Sequence, residues 1–118
     1  MNYTKKFERE LLQERKYKEV CRENHELIEN KYIEIFGKEN YDSNLKSAKE
    51  NILKHYKLMN SIPHVVKTKK IRTVEEVERQ EDYIYILPFV ERKLFSHFES
   101  KGLEIGNIEQ FLELCKSN

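Results

Sequence analysis

The side chains able to do chemistry fall into three groups. The first holds the thiols and imidazoles: Cys21 and Cys115, with His25, His55, His64 and His97. Cys21 and His25 stand four apart on one helix face, so they offer two ligands of a metal site. His97 and Cys115 would have to complete it across the fold. As a nucleophile and base, the same pair lacks oxyanion donors, because a helix interior supplies none. No Cys-x-x-Cys or His-Glu-x-x-His occurs, and no histidine stands at ligand spacing from another. The plainer assignment is Cys21 as a small core residue and His25 as a polar residue at the core's edge.

The second group is a run of acids, Glu75, Glu76, Glu78, Glu81 and Asp82. Paired carboxylates do acid–base work only when their environments differ. Here they fill successive turns of one helix, where they read as a solvated acidic face. The third group is cationic: Lys67, Lys69, Lys70 and Arg72 fall within six positions, with Lys54, His55, Tyr56 and Lys57 upstream. Such a cluster neutralises phosphates, and Tyr56 offers a ring on which a base can stack. The three glycines, Gly37, Gly102 and Gly106, are too scattered to form a phosphate-binding loop. The chain is therefore expected to be non-enzymatic, with no cofactor and no metal.

The formal charge of +1 conceals a strong asymmetry. Residues 1–36 carry eight basic and eight acidic side chains. Residues 37–72 carry nine basic and three acidic, net +6, and residues 73–118 five basic and ten acidic, net −5. Three uses compete: internal neutralisation of the middle by the end, a nucleic-acid surface on the middle, or a bipolar protein-binding surface. The balanced total speaks against a dedicated nucleic-acid binder, which is usually basic overall. Seven tyrosines and six phenylalanines, in a chain only 38% hydrophobic, suit the protein-binding use.

These groups must be carried by helices. Glycine and proline number three and two, so turns are few and elements long. The spacing predicts an all-α single domain over 1–118, a small bundle of about four helices at 3–36, 43–60, 74–100 and 107–116. Tyr3, Phe7, Leu11, Tyr17, Cys21, Ile28, Tyr32, Ile35 and Phe36 share one face of the first. At 1.5 Å per residue it would be ~50 Å long, so it either breaks near Asn24-His25 or projects and pairs with a second chain. Gly37 ends it. Asp42 or Ser43 caps the second helix, whose stripe is Leu45, Ala48, Ile52, Tyr56 and Met59. Residues 62–72 form an extended connector after Ile62-Pro63.

Thr73-Val74-Glu75-Glu76 is a capping box that opens the third helix. That helix enters Tyr83-Ile84-Tyr85-Ile86-Leu87-Pro88-Phe89-Val90, the only continuous apolar run, and is expected to be central, buried and kinked at Pro88. Its stripe resumes at Val90, Leu94 and Phe98 and closes at Gly102. The competing assignment makes a short two-stranded element of 62–66 and 83–87. Asn107 caps the last helix, with Ile108, Phe111, Leu112 and Cys115 inward.

The opening residues lack the apolar core of a signal peptide, and no stretch approaches the ~18–20 apolar residues of a membrane span. The expectation is a cytoplasmic chain with reduced thiols and no membrane partner. Its Lys-, Glu-, Asn-, Ile- and Tyr-rich composition is that of AT-rich coding sequences, including those of many phages and mobile elements. The favoured expectation is a small regulator or inhibitor acting by protein–protein interaction. Its acidic face would occlude a basic, even nucleic-acid-binding, surface of a larger cytosolic protein or complex. One alternative is a nucleic-acid-binding regulator using the 67–72 cations. Another is a structural subunit that forms a homodimer through its long first helix.

Overall fold

The computed structural model describes residues 15–63 and 71–117, and every regular element among them is a helix. In chain order these are α1 (Arg15–Glu23), α2 (His25–Phe36), α3 (Lys38–Asn60), α4 (Val74–Glu78), α5 (Asp82–Ser100) and α6 (Ile108–Lys116). The all-α class holds, with six helices among the described residues where about four were expected. The strand alternative falls: residues 83–87 lie within α5, and residues 64–66 of its proposed partner lie outside the described residues. Contacts divide the chain into two units. One is built from the chain up to Tyr41 and from Leu87 on, the other from Asp42–Ile86.

In the first unit, the expected helix 3–36 is broken at Asn24. The Asn24 side-chain amide donates to the Val20 carbonyl at 2.9 Å, and its backbone N–H bonds Val20 and Cys21. The residue thus satisfies the end of α1, and α2 starts at the next position. Gly37 ends α2 with φ at +98°, a conformation that suits glycine alone. Its N–H reaches the Ile33 carbonyl at 2.8 Å, and its own carbonyl accepts from Tyr41 N–H at 3.1 Å. One residue therefore closes one helix and opens the next. For that reason α3 starts at Lys38, and the expected caps Asp42 and Ser43 lie inside it.

α2 packs against α1 and α6. The core is aromatic. Phe95 and Phe111 stack with centroids 4.6 Å apart and planes 11° from parallel. Tyr17 lies 6.4 Å from Phe95 and 6.5 Å from Phe111, and Phe98 meets Phe111 edge-on at 6.2 Å. A second set of rings centres on Tyr32, against Phe36, Tyr41 and Phe89. Ring pairs of this kind add ~0.5–1.5 kcal/mol each beyond the area they bury. α5 ends as expected at Gly102. Leu103 N–H bonds the Phe98 carbonyl and Gly102 N–H that of Glu99, the paired pattern of a left-handed C-terminal cap. Asn107 caps α6 by accepting from Gln110 N–H at 2.9 Å.

In the second unit, the Thr73 hydroxyl accepts from Glu76 N–H at 3.2 Å, as its capping box requires. The helix it opens does not run to residue 100. It ends at Glu78, and α5 starts afresh at Asp82. The acids favour the break: Glu78 and Glu81, and Glu78 and Asp82, would stack like charges three and four apart in a continuous helix. Folding back instead lets the Tyr85 hydroxyl donate to the Val77 carbonyl, with Val77 fully buried and Tyr85 nearly so. The expectation of a helix buried all round across 83–90 also fails, since Pro88 is exposed within α5. On α3 the stripe Leu45, Ala48, Ile52, Tyr56 and Met59 is half-buried throughout.

Candidate functional site

The acidic residues are displayed at the surface of the second unit. Glu75, Glu76, Glu78, Glu81 and Asp82 are all exposed. Asp82 pairs with Lys49 at 3.0 Å, and Lys49 also sits over the Tyr85 ring at 5.6 Å. That bond and the Asp82 charge raise the Lys49 ammonium above its usual range. Among the described residues no cation lies at salt-bridge distance from Glu75, Glu76, Glu78 or Glu81.

The basic residues are less free. Lys54 and Lys57 are exposed on α3, and no carboxylate among the described residues pairs with either. Arg72 is engaged within the unit: its guanidinium lies over Tyr56 at 5.4 Å and donates to Gln80 Oε1 at 2.9 Å. The Arg72 carbonyl accepts from Asn60 Nδ2 at 3.1 Å. The Tyr56 ring offered as a stacking platform thus already carries a cation on one face. Lys67, Lys69, Lys70 and His64 lie outside the described residues. Beside Lys54, the side chain of Leu58 is 60% exposed, and Ile62 follows one turn later, also exposed.

His25 is engaged by an acid on its own helix. His25 Nδ1 is 2.9 Å from Glu29 Oε2, and Glu29 in turn accepts from the Tyr41 hydroxyl. No group of three or more histidine, cysteine, aspartate or glutamate side chains able to hold a metal occurs among the described residues. Nor is any helix among them long and apolar enough to cross a membrane.

What Cys21 does face is an acid that sequence reasoning passed over. Glu91, on α5, is only 4% exposed. Burial pushes its carboxyl up to about 7. The Cys21 thiol, placed to donate to it, acts in the opposite direction, as do the more distant Arg92, Lys18 and Arg22. No cation among the described residues reaches salt-bridge distance. The same pocket of low dielectric holds the Cys21 and Cys115 thiols and the Tyr17 phenol. Burial and the Glu91 charge raise Cys21, and burial brings Cys115 up to about 12. Burial, then Cys21 and Glu91, raises Tyr17 as well. Lys31 of α2, itself nearly buried, faces Cys115 and bonds the Ser117 carbonyl, tying α2 to the end of α6.

Thiols held neutral in this way are poor nucleophiles. The chemistry the cluster supports is proton exchange at Glu91, near neutrality. The signal for it lay in the sequence. Glu91 stands four after Leu87 and four before Phe95, inside the apolar stripe of its own helix. No family model, curated protein or solved structure matches the chain.

Proposed function

We propose that the protein is a non-enzymatic interaction protein, a small regulator or inhibitor that docks its acidic segment on a basic surface of a larger protein and occludes it. One observation carries this reading: Glu75, Glu76, Glu78 and Glu81 are exposed on a capped, folded segment and have no ion-pair partner among the described residues. Carboxylates already turned outward lose no internal partner on binding, and their charge steers a basic surface into place. The test is a triple reversal, Glu75→Lys/Glu78→Lys/Glu81→Lys, compared with wild type as bait in a lysate at low and high salt. A partner with a basic surface should be retained by the wild type, released by salt, and absent from the variant. Retention of the same proteins by both baits sinks the reading.

A second reading, a nucleic-acid-binding regulator, draws support from Lys54 and Lys57, exposed and with no carboxylate partner among the described residues. The engagement of Arg72 by Tyr56 and Gln80 weighs against it. Labelled duplex and single-stranded probes separate the two readings. Binding that falls steeply with salt and is lost in Lys54→Glu/Lys57→Glu promotes the second.

A further inference from the structure

α1 brings more side chains to the Glu91 cluster than any other described element: Tyr17, Lys18, Cys21 and Arg22. Its buried side chains are Tyr17 and Cys21, 2% and 0% exposed, and both stand against the Glu91 cluster. α5 sinks Leu87, Val90, Leu94, Phe95 and Phe98 in the same unit. α6 sinks Phe111 and Cys115 and is tied to α2 by the bond from Lys31 to Ser117. α1 is followed at once by the break at Asn24. Among the described residues, α1 thus covers Glu91 with two buried side chains and ends at the break before α2.

An ionised carboxylate cannot stay in that site without a partner. Moving such a group out of water costs several kcal/mol unless a cation and further hydrogen bonds compensate. The groups that face it are Tyr17, Lys18, Cys21 and Arg22 from α1, Arg92 from α5 itself, and Cys115 from α6, with Lys31 of α2 behind Cys115. Lys18, Arg22 and Arg92 are exposed, and none makes an ion pair with it. Water must therefore reach Glu91 when it loses its proton, and displacing α1, whose Tyr17 and Cys21 cover the cluster, opens that path.

We propose that Glu91 is a proton-controlled latch on α1: the neutral carboxyl keeps α1 docked on α5 and α6, and loss of the proton releases α1 at Asn24. Release uncovers the Cys21 and Cys115 thiols together with the Phe95 and Phe111 rings. The carboxyl held up to about 7 in the docked state, against 4.5 when free, sets the scale. Fully relieved, that difference favours the released state by a factor of up to about 300.

The experiment is pulse labelling of the full chain with N-ethylmaleimide at about pH 6 and about pH 8.5, on either side of the docked carboxyl's titration. Modification of Cys21 and Cys115 is read by peptide mass spectrometry. Glu91→Gln, run in parallel, keeps the shape and removes the proton. Dividing the wild-type rate by the variant rate at each pH cancels the intrinsic rise of thiolate. At about pH 6 the free carboxyl is already ionised, so about 30-fold of the roughly 300-fold limit is expressed there, and the ratio for Cys21 should rise by about a further tenfold between the lower pH and the higher. A ratio that is the same at both values overturns the latch. Should Glu91→Gln fail to fold, amide exchange in the wild type decides. Corrected for intrinsic rates, α1 must lose protection relative to residues 87–100 as pH rises, and constant relative protection overturns the proposal.

Discussion

Replacing Tyr85 by Phe removes one oxygen and nothing else of consequence. The ring keeps its nearly buried site and its place under Lys49. What disappears is the donation from the hydroxyl to the Val77 carbonyl, the bond that folds α5 back on α4. Two magnitudes compete. A neutral hydrogen bond is worth about 1 kcal/mol net, whereas a buried carbonyl left with no partner costs about 1–3 kcal/mol. The Val77 carbonyl is not orphaned, because Gln80 N–H also donates to it at 3.2 Å. The expected loss is therefore the smaller figure, about 1 kcal/mol. Urea unfolding followed by far-ultraviolet circular dichroism should show it as a midpoint lowered by about 0.5 M, for a slope of about 2 kcal/mol per molar. A loss near 3 kcal/mol would mean that the Gln80 bond does not hold and the carbonyl is stranded. No loss at all would mean that the hydroxyl bond contributes nothing and that the break after Glu78 has another cause.

Two further outcomes follow from the first unit. The Glu91 carboxyl sits higher in the folded protein, at about 7, than its ordinary 4.5, so the folded state binds the extra proton between those values. Its stabilisation is complete below pH 4.5 and is lost as pH rises toward about 7. The loss then levels off near 3 kcal/mol. Urea midpoints across that range should fall in the wild type and stay flat in Glu91→Gln over the same interval. Phe111→Ala opens a hole beneath Tyr17, Phe95 and Phe98 and should cost about 3–5 kcal/mol, whereas Phe111→Leu should cost markedly less. Thermal unfolding of the two variants checks the order.

Much of the helical architecture is local chemistry, and local chemistry can be read from a sequence. Thr73, Asn107 and Gly102 end or begin helices through bonds to residues three to five positions away, and each was foreseeable. The helical class followed from apolar stripes and scarce turn residues. Lys38 was missed as a helix start because Gly37 caps it with a backbone carbonyl, which leaves no side-chain signature. The break at Arg79–Glu81 was missed because Thr73 announces a helix without announcing its length. Like charges three and four apart carried that information. Of the candidate site, the exposure of the acids was legible, since five in eight positions cannot be buried. The capture of Arg72 by Tyr56 and Gln80 was not, because it joins residues from three separate segments. Glu91 was legible by position and overlooked by residue type. An acid is taken for surface unless its neighbours four positions away are weighed.

The division of the chain also bears on how the protein is made. The first unit needs both ends of the described chain, while the second is one continuous stretch, Asp42–Ile86. During synthesis at ~5–20 residues per second, Tyr17, Cys21, Ile28 and Tyr32 wait for seconds before Leu94, Phe95 and Phe111 exist to cover them. The intervening stretch can meanwhile form contacts over short sequence distances, which close fastest. The nascent chain thus assembles its middle before its ends. For that interval it presents an uncovered apolar helix face to the ribosome's surroundings, the kind of surface that chaperones bind and that aggregates when they do not.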